Sequence, residues 1–266
     1  MNLALKGKVA LVCASSAGIG RAIAQGLASE GVQVSMFART RAKVETACSE
    51  VQTIARAAGG DAICHAGDVS VRADLTRIVE ETRRQLGAID ILINNQGGPD
   101  PGTVEQISDE QFEAAVGANL RSVFHLTRIC LPEMKARGFG RIINVLSLSA
   151  KEPLPGMLLS NMLRPAILGF AKSVAQEYAP FGITMNSLLP AAVQSDRTNL
   201  LLQRRAAAEG KDFAAILAQA GKSIPVGHIA TPAEFAALAV FLCSPQASYV
   251  TGTAISVDGG ASRSLY

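Results

Sequence analysis

The sequence predicts an α/β fold in which helices cover both faces of a doubly wound, parallel, seven-stranded sheet. Seven short apolar runs alternate with longer segments of helical periodicity along the 266-residue chain, a pattern that favours parallel strands joined by helices. The runs are almost continuously apolar, as in VALVC and DILIN, which is typical of strands buried on both faces. A glycine-containing loop follows the first run and opens a helix.

The elements follow in chain order. Strands are predicted at residues 9–13, 32–37, 62–65, 89–93, 141–146, 184–189 and 254–257, and helices at residues 21–29, 42–57, 72–86 and 111–135. Because no repeat or proline-rich linker interrupts this order, residues 1–266 are predicted to form one domain. Residues 191–223 are long, helix-prone and follow a strand end, which favours a substrate lid; the alternative is a helical surface insertion.

Composition argues against several classes of protein. The net charge is only +3 and the basic residues are scattered among acids, so a nucleic-acid surface is not expected. The five cysteines (Cys13, Cys48, Cys64, Cys130 and Cys243) lack zinc-ligand spacing and are interpreted as buried thiols. The apolar runs are too short to span a bilayer, and residues 1–8 do not resemble a signal peptide. We therefore expect a cytoplasmic protein that is not bound to a membrane.

The loop after the first strand predicts a site for the pyrophosphate of a dinucleotide. It reads Cys13-Ala14-Ser15-Ser16-Ala17-Gly18-Ile19-Gly20 and leads into a helix. A helix N-terminus presents free N–H groups and a positive dipole end to a phosphate. Gly18 and Gly20 allow close approach of the backbone, and Ser15 and Ser16 can donate to phosphate oxygens.

Polar residues at other strand ends extend this site. The pair Asp68-Val69 follows the third strand, where a carboxylate can accept a hydrogen bond from an adenine amine. The motif Asn94-Asn95-Gln96-Gly97 follows the fourth strand, at the crevice where such sheets bind ligands. Pro190 ends the sixth strand, and Ser195 places a hydroxyl beyond it. Together these features predict a Rossmann-type nucleotide-binding fold.

The order of these motifs resembles that of the short-chain dehydrogenase/reductase family over essentially the whole chain. The family's TGxxxGIG motif corresponds to residues 13–20, its NNAG motif to residues 94–97 and its PGxxxT motif to residues 190–195. Cys13 and Ala14 replace Thr and Gly, and because they are also small the turn should survive. The chain also resembles a divergent branch of this family that is described as 3-oxoacyl-[acyl-carrier-protein] reductase-like. The resemblance implies an oxidoreductase that acts on a carbonyl or an alcohol. A 3-oxoacyl thioester is one candidate substrate.

The end of the second strand favours NADP(H) over NAD(H). Relatives that use NAD usually carry an acid there, which binds both ribose hydroxyls. Here Ala38 removes that charge and Arg39 can pair with a 2′-phosphate. The alternative is a solvated arginine on a loop that also holds Arg41 and Lys43.

The resemblance also implies a catalytic set, from which this chain departs. Family members usually combine a Ser that polarises the carbonyl, a Tyr that donates the proton, a Lys that holds the ribose and an Asn that positions a relay water. Asn119 and Ser147 match the Asn and Ser positions, but the expected YxxxK pair is Ser160 and Arg164. A serine hydroxyl is a poor general acid at neutral pH, and losing a matched acid typically costs about 10²–10⁴ in rate.

The source of the proton is therefore left open. Arg164 can bond ribose hydroxyls but is a permanent cation that cannot relay protons. Lys151 is a candidate replacement; the alternative is a solvated surface lysine. Two functions follow: an NADP(H)-dependent carbonyl reductase with a modified site, and a catalytically silent dinucleotide-binding protein that acts as a redox sensor or an oligomer subunit.

Two further predictions concern the helix that carries Ser160 and Arg164. Pro165 has no N–H for the carbonyl of Asn161, so the helix should either kink around residues 161–165 or begin at Pro165. The resemblance implies a homo-oligomer, most simply a tetramer, that pairs through residues 119–135 and 156–178. The second of these segments is rich in apolar residues (Leu158, Leu159, Leu163, Ile167, Phe170 and Val174). The alternative is a fully buried helix in a monomer.

Overall fold

A computed structural model describes residues 2–265, apart from the side chain of Arg197, and within them seven strands form one sheet in the order β3-β2-β1-β4-β5-β6-β7. The strands are β1 (Val9–Cys13), β2 (Gln33–Ala38), β3 (Ala62–Ala66), β4 (Ile91–Asn94), β5 (Gly140–Val145), β6 (Ile183–Pro190) and β7 (Ala254–Val257). Every neighbouring pair is parallel. The predicted doubly wound Rossmann-type fold is confirmed.

Helices cover both faces of this sheet. They are α1 (Gly18–Ser29), α2 (Arg41–Ala57), α3 (Arg72–Leu86), α4 (Asp109–Ala115), α5 (Ser122–Arg137), α6 (Leu158–Tyr178), α7 (Asp196–Glu209), α8 (Phe213–Lys222) and α9 (Pro232–Leu242) among the described residues. Buried side chains of α1, α2 and α9 pack on one face, and those of α3, α5 and α6 on the other. The helix predicted over residues 111–135 is interrupted by a π-helical segment, Val116–Arg121, between α4 and α5.

The sheet topology leaves a crevice between two central strands. From β1 the chain winds outward to β2 and β3, then crosses back to β4 on the other side of β1. The connections after β1 and β4 therefore diverge, and the carboxyl ends of these strands are left open for a ligand.

Helix α6 runs without interruption through Pro165, so the prediction of a helix that begins at Pro165 is wrong. Leu159 and Leu163 before the proline, and Ile167 after it, are buried. Burial of each such side chain contributes roughly 1.5–3 kcal/mol, which together exceeds the ~3 kcal/mol that an interior proline costs. The Asn161 side chain also anchors this end of the helix, because it bonds both the N–H and the carbonyl of Leu154. A kink within the continuous helix stays a prediction.

The cysteines are free thiols, and four of the five are buried, as predicted; Cys64 is only half-buried. Burial raises the pKa of the Cys13, Cys130 and Cys243 thiols to about 12, so they are neutral under ordinary conditions.

The helices of residues 2–265 include none that is long and apolar enough to cross a membrane.

Candidate active site

A cavity of about 560 Å³ lies at the carboxyl ends of the central strands. It is bordered by the loop between β1 and α1, the segment after β4, the end of β5, the start of α6 and the segment from β6 into α7. The predicted site residues that line it are Gly18, Ile19, Gly97, Ser147, Ser160, Arg164, Pro190 and Ser195. The fold therefore brings the glycine loop and the Ser160–Arg164 pair to one cavity.

The glycine loop keeps its turn despite the changes at its first two positions, as predicted. Ala14 has a φ of 47°, so it adopts the left-handed conformation that favours glycine. Gly18 has a φ of 55°. A Cβ atom at Gly20 would lie 2.3 Å from the carbonyl oxygen of Ala14 and 2.7 Å from Asn95 Nδ2. Gly20 is thus required where α1 crosses closely over the end of β1.

The start of α1 fits a pyrophosphate. Within the described residues no side chain caps its N-terminus, at Ala17, whereas Ser195 caps α7 by accepting from the Thr198 N–H at 3.1 Å. Ala17, Gly18 and Ile19 line the cavity. The N–H groups of the first turn and the positive dipole end are therefore available to an anion there.

Ser15 does not contribute to this anion site in the structure. Its hydroxyl is fully buried, accepts from the Phe37 N–H at 2.9 Å and lies 3.4 Å from the Phe37 carbonyl oxygen. The Ser15 side chain therefore ties the loop to β2, and its assignment as a phosphate donor is corrected. Ser16 does not line the cavity either.

Of the two asparagines at the carboxyl end of β4, the second lines the cavity. Asn94 is 1% exposed and donates from Nδ2 to Asn144 Oδ1 at 2.9 Å. It therefore joins β4 to β5 inside the sheet, and its prediction as a cofactor contact is corrected. Asn95, which belongs to the predicted motif but was assigned no role of its own, lines the cavity and donates to the carbonyl oxygens of Cys13 and Ala14.

The residues expected at the adenosine end lie outside the cavity. Arg39 is exposed directly after buried Ala38. Asp68 Oδ1 accepts from both the N–H and the hydroxyl of Ser70, at 2.8 and 2.7 Å. Val69 is half-buried and packs against the core on the face of the sheet that α3, α5 and α6 cover. The roles of Arg39, Asp68 and Val69 toward a cofactor stay predictions.

Ser149 links Ser147 to Ser160 beside the cavity, through its backbone N–H on one side and its hydroxyl on the other. Ser147 Oγ accepts from the Ser149 N–H at 3.2 Å, and Ser149 Oγ lies 2.8 Å from Ser160 Oγ. Ser160 is 4% exposed and Ser149 is 3% exposed, yet only Ser160 of these two lines the cavity. Ser149 was not predicted as a site residue, because its only signal in the sequence is a polar residue two positions after Ser147.

Asn119 lies in the π-helical segment, where its backbone carbonyl oxygen already accepts a hydrogen bond. Gln96 Nε2 donates to that oxygen at 3.1 Å, and Asn119 Nδ2 donates to the Ala115 carbonyl at 3.1 Å. Gln96 is 8% exposed and lines the cavity. A glutamine in place of the family's alanine in the NNAG motif was the visible signal for this contact.

Arg164 and Lys151 differ in their access to the cavity. Arg164 is 2% exposed, lines the cavity and donates from Nη1 to the Val145 carbonyl over 3.5 Å. Because α6 is continuous, Ser160 and Arg164 keep the i, i+4 relation that places both on one helix face. Lys151 is half-buried and does not line the cavity.

Four large apolar side chains form part of the outer wall of the cavity. Leu154 and Met157 line it from the loop before α6, and Leu201 and Leu202 from α7. Helix α7 and helix α8 occupy the segment predicted to be a lid. None of these four residues was predicted to belong to the site.

Comparison with known proteins assigns the family. The family model described as enoyl-(acyl carrier protein) reductase matches residues 13–262. Human dehydrogenase/reductase SDR family member 4 is 31% identical over 262 residues, which covers 98% of this chain and 90% of the human protein. The chain belongs to the short-chain dehydrogenase/reductase family. It is an oxidoreductase of this family, as predicted.

Solved structures of relatives share its fold throughout. L-sorbose reductase from Gluconobacter frateurii, complexed with NADPH and L-sorbose, is 31% identical with a TM-score of 0.93, and all of both chains is covered. An NADPH-bound short chain oxidoreductase from Pseudomonas aeruginosa PAO1, which contains an atypical catalytic center, is 32% identical with a TM-score of 0.86. That comparison covers 97% of this chain and 98% of the other.

Proposed function

We propose that this protein is an NADP(H)-dependent reductase of carbonyl compounds in which Ser147 and Ser160, rather than a tyrosine, bind the carbonyl oxygen. The observation that carries the proposal is that one cavity holds the uncapped start of α1, both serines and Arg164. The relative from Pseudomonas aeruginosa is an NADPH-bound oxidoreductase with an atypical catalytic center, which is consistent with a departure from the usual set.

The cofactor would lie along the carboxyl end of the sheet. The first turn of α1 would hold the pyrophosphate, and Arg39, beside uncharged Ala38, would pair with the 2′-phosphate of NADPH. Arg164 would hold the nicotinamide ribose as a buried hydrogen-bond donor. The bound relatives named above carry NADPH, which is consistent with this preference.

When bound, the nicotinamide supplies the hydride that adds to the carbonyl carbon. The chain's own residues then have to stabilise the negative charge that develops on the carbonyl oxygen. Hydroxyl donors at Ser147 and Ser160 would bond that oxygen, and the nearby Arg164 cation would stabilise the charge further. Because neither serine is an effective acid near neutral pH, the proton would come from water.

The apolar wall indicates the kind of substrate. Arg164 and Asp196 are the charged side chains among the described lining residues, and Arg164 lies at the sheet rather than at the wall. Leu154, Met157, Leu201 and Leu202 would favour an uncharged, apolar group beside the carbonyl. We therefore propose that the substrates are ketones with an apolar substituent, among them 3-oxoacyl thioesters. Residues 191–223 would form the segment that covers the bound substrate.

The test is turnover by the purified protein. NADPH oxidation would be followed with a graded series of aliphatic ketones, 3-oxoacyl thioesters and a polar keto sugar as comparison. We expect the apolar ketones to be the better substrates. Replacing either donor by Ser147→Ala or Ser160→Ala should lower kcat by about 10²-fold, the usual effect of losing one such donor.

A matched control comes from the same helix. Ser173 lies on the exposed face of α6, and its hydroxyl bonds the Gly169 carbonyl at 3.1 Å. Ser173→Ala should therefore leave kcat unchanged. NADPH binding without turnover of any carbonyl compound would contradict the proposed reductase and favour the silent dinucleotide-binding protein.

A further inference from the structure

The Ser149–Ser160 pair raises the question of which hydroxyl donates. Their oxygens lie 2.8 Å apart, so one proton lies between them and the other must point elsewhere. Within residues 2–265 the Ser149 hydroxyl has no second hydrogen-bond partner, and Ser149 does not line the cavity. Ser160, by contrast, has the cavity in front of it.

The cost of burial decides the direction. If Ser160 donated to Ser149, the Ser149 O–H would point into the interior, where its side chain is 3% exposed and has no acceptor. An unsatisfied buried donor is costly compared with a satisfied one. If Ser149 donates to Ser160, both protons are used: one lies between the oxygens, and the Ser160 proton points toward whatever occupies the cavity.

We propose that Ser149 is a positioning residue that donates its proton to Ser160 and thereby turns the Ser160 O–H into the cavity. This inference rests on the proposed function for its role in catalysis, but the direction of the hydrogen bond stands on the geometry alone. Ser149 also reaches the second donor, because its N–H bonds Ser147 Oγ. One buried residue thus contacts both hydroxyls that the proposed reaction needs, without touching the substrate.

The catalytic test is a double-mutant cycle with an apolar ketone and NADPH. Ser149→Ala should lower kcat roughly 3–10-fold, the usual net value of one hydrogen bond, and leave the Kd for NADPH unchanged. In the Ser160→Ala background, Ser149→Ala should have no further effect. Ser149→Thr keeps the hydroxyl and should restore most of kcat. Equal losses in both backgrounds would overturn the positioning role, because they would mean that Ser149 acts without Ser160.

A second measurement does not depend on turnover. If Ser149 donates, Ser160→Ala leaves the buried Ser149 proton without an acceptor and should lower the unfolding midpoint by about 2–10 °C. Ser149→Ala should lower the midpoint less, and the Ser149→Ala/Ser160→Ala protein should recover part of the loss. In the reverse direction the Ser149 proton would lack an acceptor already in the wild type, so Ser149→Ala would leave the midpoint unchanged or raise it. That result, or an unchanged midpoint in Ser160→Ala, would overturn the direction. Should the wild type reduce no carbonyl compound, the proposed function fails while the unfolding cycle still decides the hydrogen bond.

Discussion

Substitution of Gly20 tests whether the close crossing of α1 over β1 supports the cofactor loop. An ideal Cβ there lies 2.3 Å from the Ala14 carbonyl oxygen, whereas a normal carbon–oxygen contact is about 3.3–3.6 Å. The two must therefore separate by roughly 1 Å. The obstacle is backbone rather than a flexible side chain, so the contact cannot be relieved by a rotamer change.

Movement of Ala14 is also resisted by its surroundings. Ala14 is held at a φ of 47°, and its carbonyl accepts from Asn95 Nδ2. We expect Gly20→Ala to lower the free energy of unfolding by about 1–3 kcal/mol, the usual range for overpacking. Because the same shift displaces the first turn of α1, the Kd for NADPH should rise roughly tenfold, equivalent to about 1.4 kcal/mol.

Denaturant unfolding and calorimetric titration with NADPH would measure the two effects. Gly169→Ala is the matched control, since Gly169 lies within α6 and a Cβ there meets no atom within 4 Å. That variant should be as stable as the wild type or up to about 1 kcal/mol more stable, because alanine is favoured over glycine in helices. If Gly20→Ala unfolded and bound NADPH like the control, the loop could not be as tightly constrained as its geometry indicates.

Two other predictions concern the cofactor's phosphate and the assembly. Arg39→Ala should raise the Kd for NADPH far more than the Kd for NADH. Arg41→Ala serves as the control, because the Arg41 side chain pairs with Glu45 at 3.4 Å. An equal loss of affinity for both cofactors would refute the assignment of Arg39 to the 2′-phosphate. Light scattering should give a mass near four times the 27.7 kDa of one chain, because Phe124 and Met162 on the helices expected to pair are 43% and 50% exposed. A mass of one chain at micromolar concentration would refute the oligomer.

The alternation of elements and the nucleotide motifs could be predicted from the sequence because they depend on local chemistry. The apolar run of residues 9–13 is a fully buried strand in the structure, and the run alone indicates that environment. Gly18 and Gly20 follow it at the spacing that a phosphate-binding turn requires. Such features depend only on residues within one turn or one strand, so few other local conformations compete with the predicted one.

In the helix that contains Pro165, tertiary packing outweighs the local conformational preference of proline. Pro165 and its effect on the preceding residue predicted either a kink around residues 161–165 or a helix that begins at Pro165, and the sequence contains no local signal that favours the first. The structure keeps the helix because Leu159, Leu163 and Ile167 are buried against other elements. Their contribution depends on distant parts of the chain, which a short window of sequence does not reveal.

Which side chains reach the cavity was decided only by the tertiary structure. Successive residues at a strand end point to opposite sides, so the motif at residues 94–97 did not indicate that Asn94 is buried in the sheet while Asn95 lines the cavity. Ser149 contacts Ser160 eleven residues away, and Gln96 contacts Asn119 twenty-three residues away. These hydrogen bonds form because separate elements pack to within about 3 Å, a distance that depends on the whole core and not on the residues that make the bond.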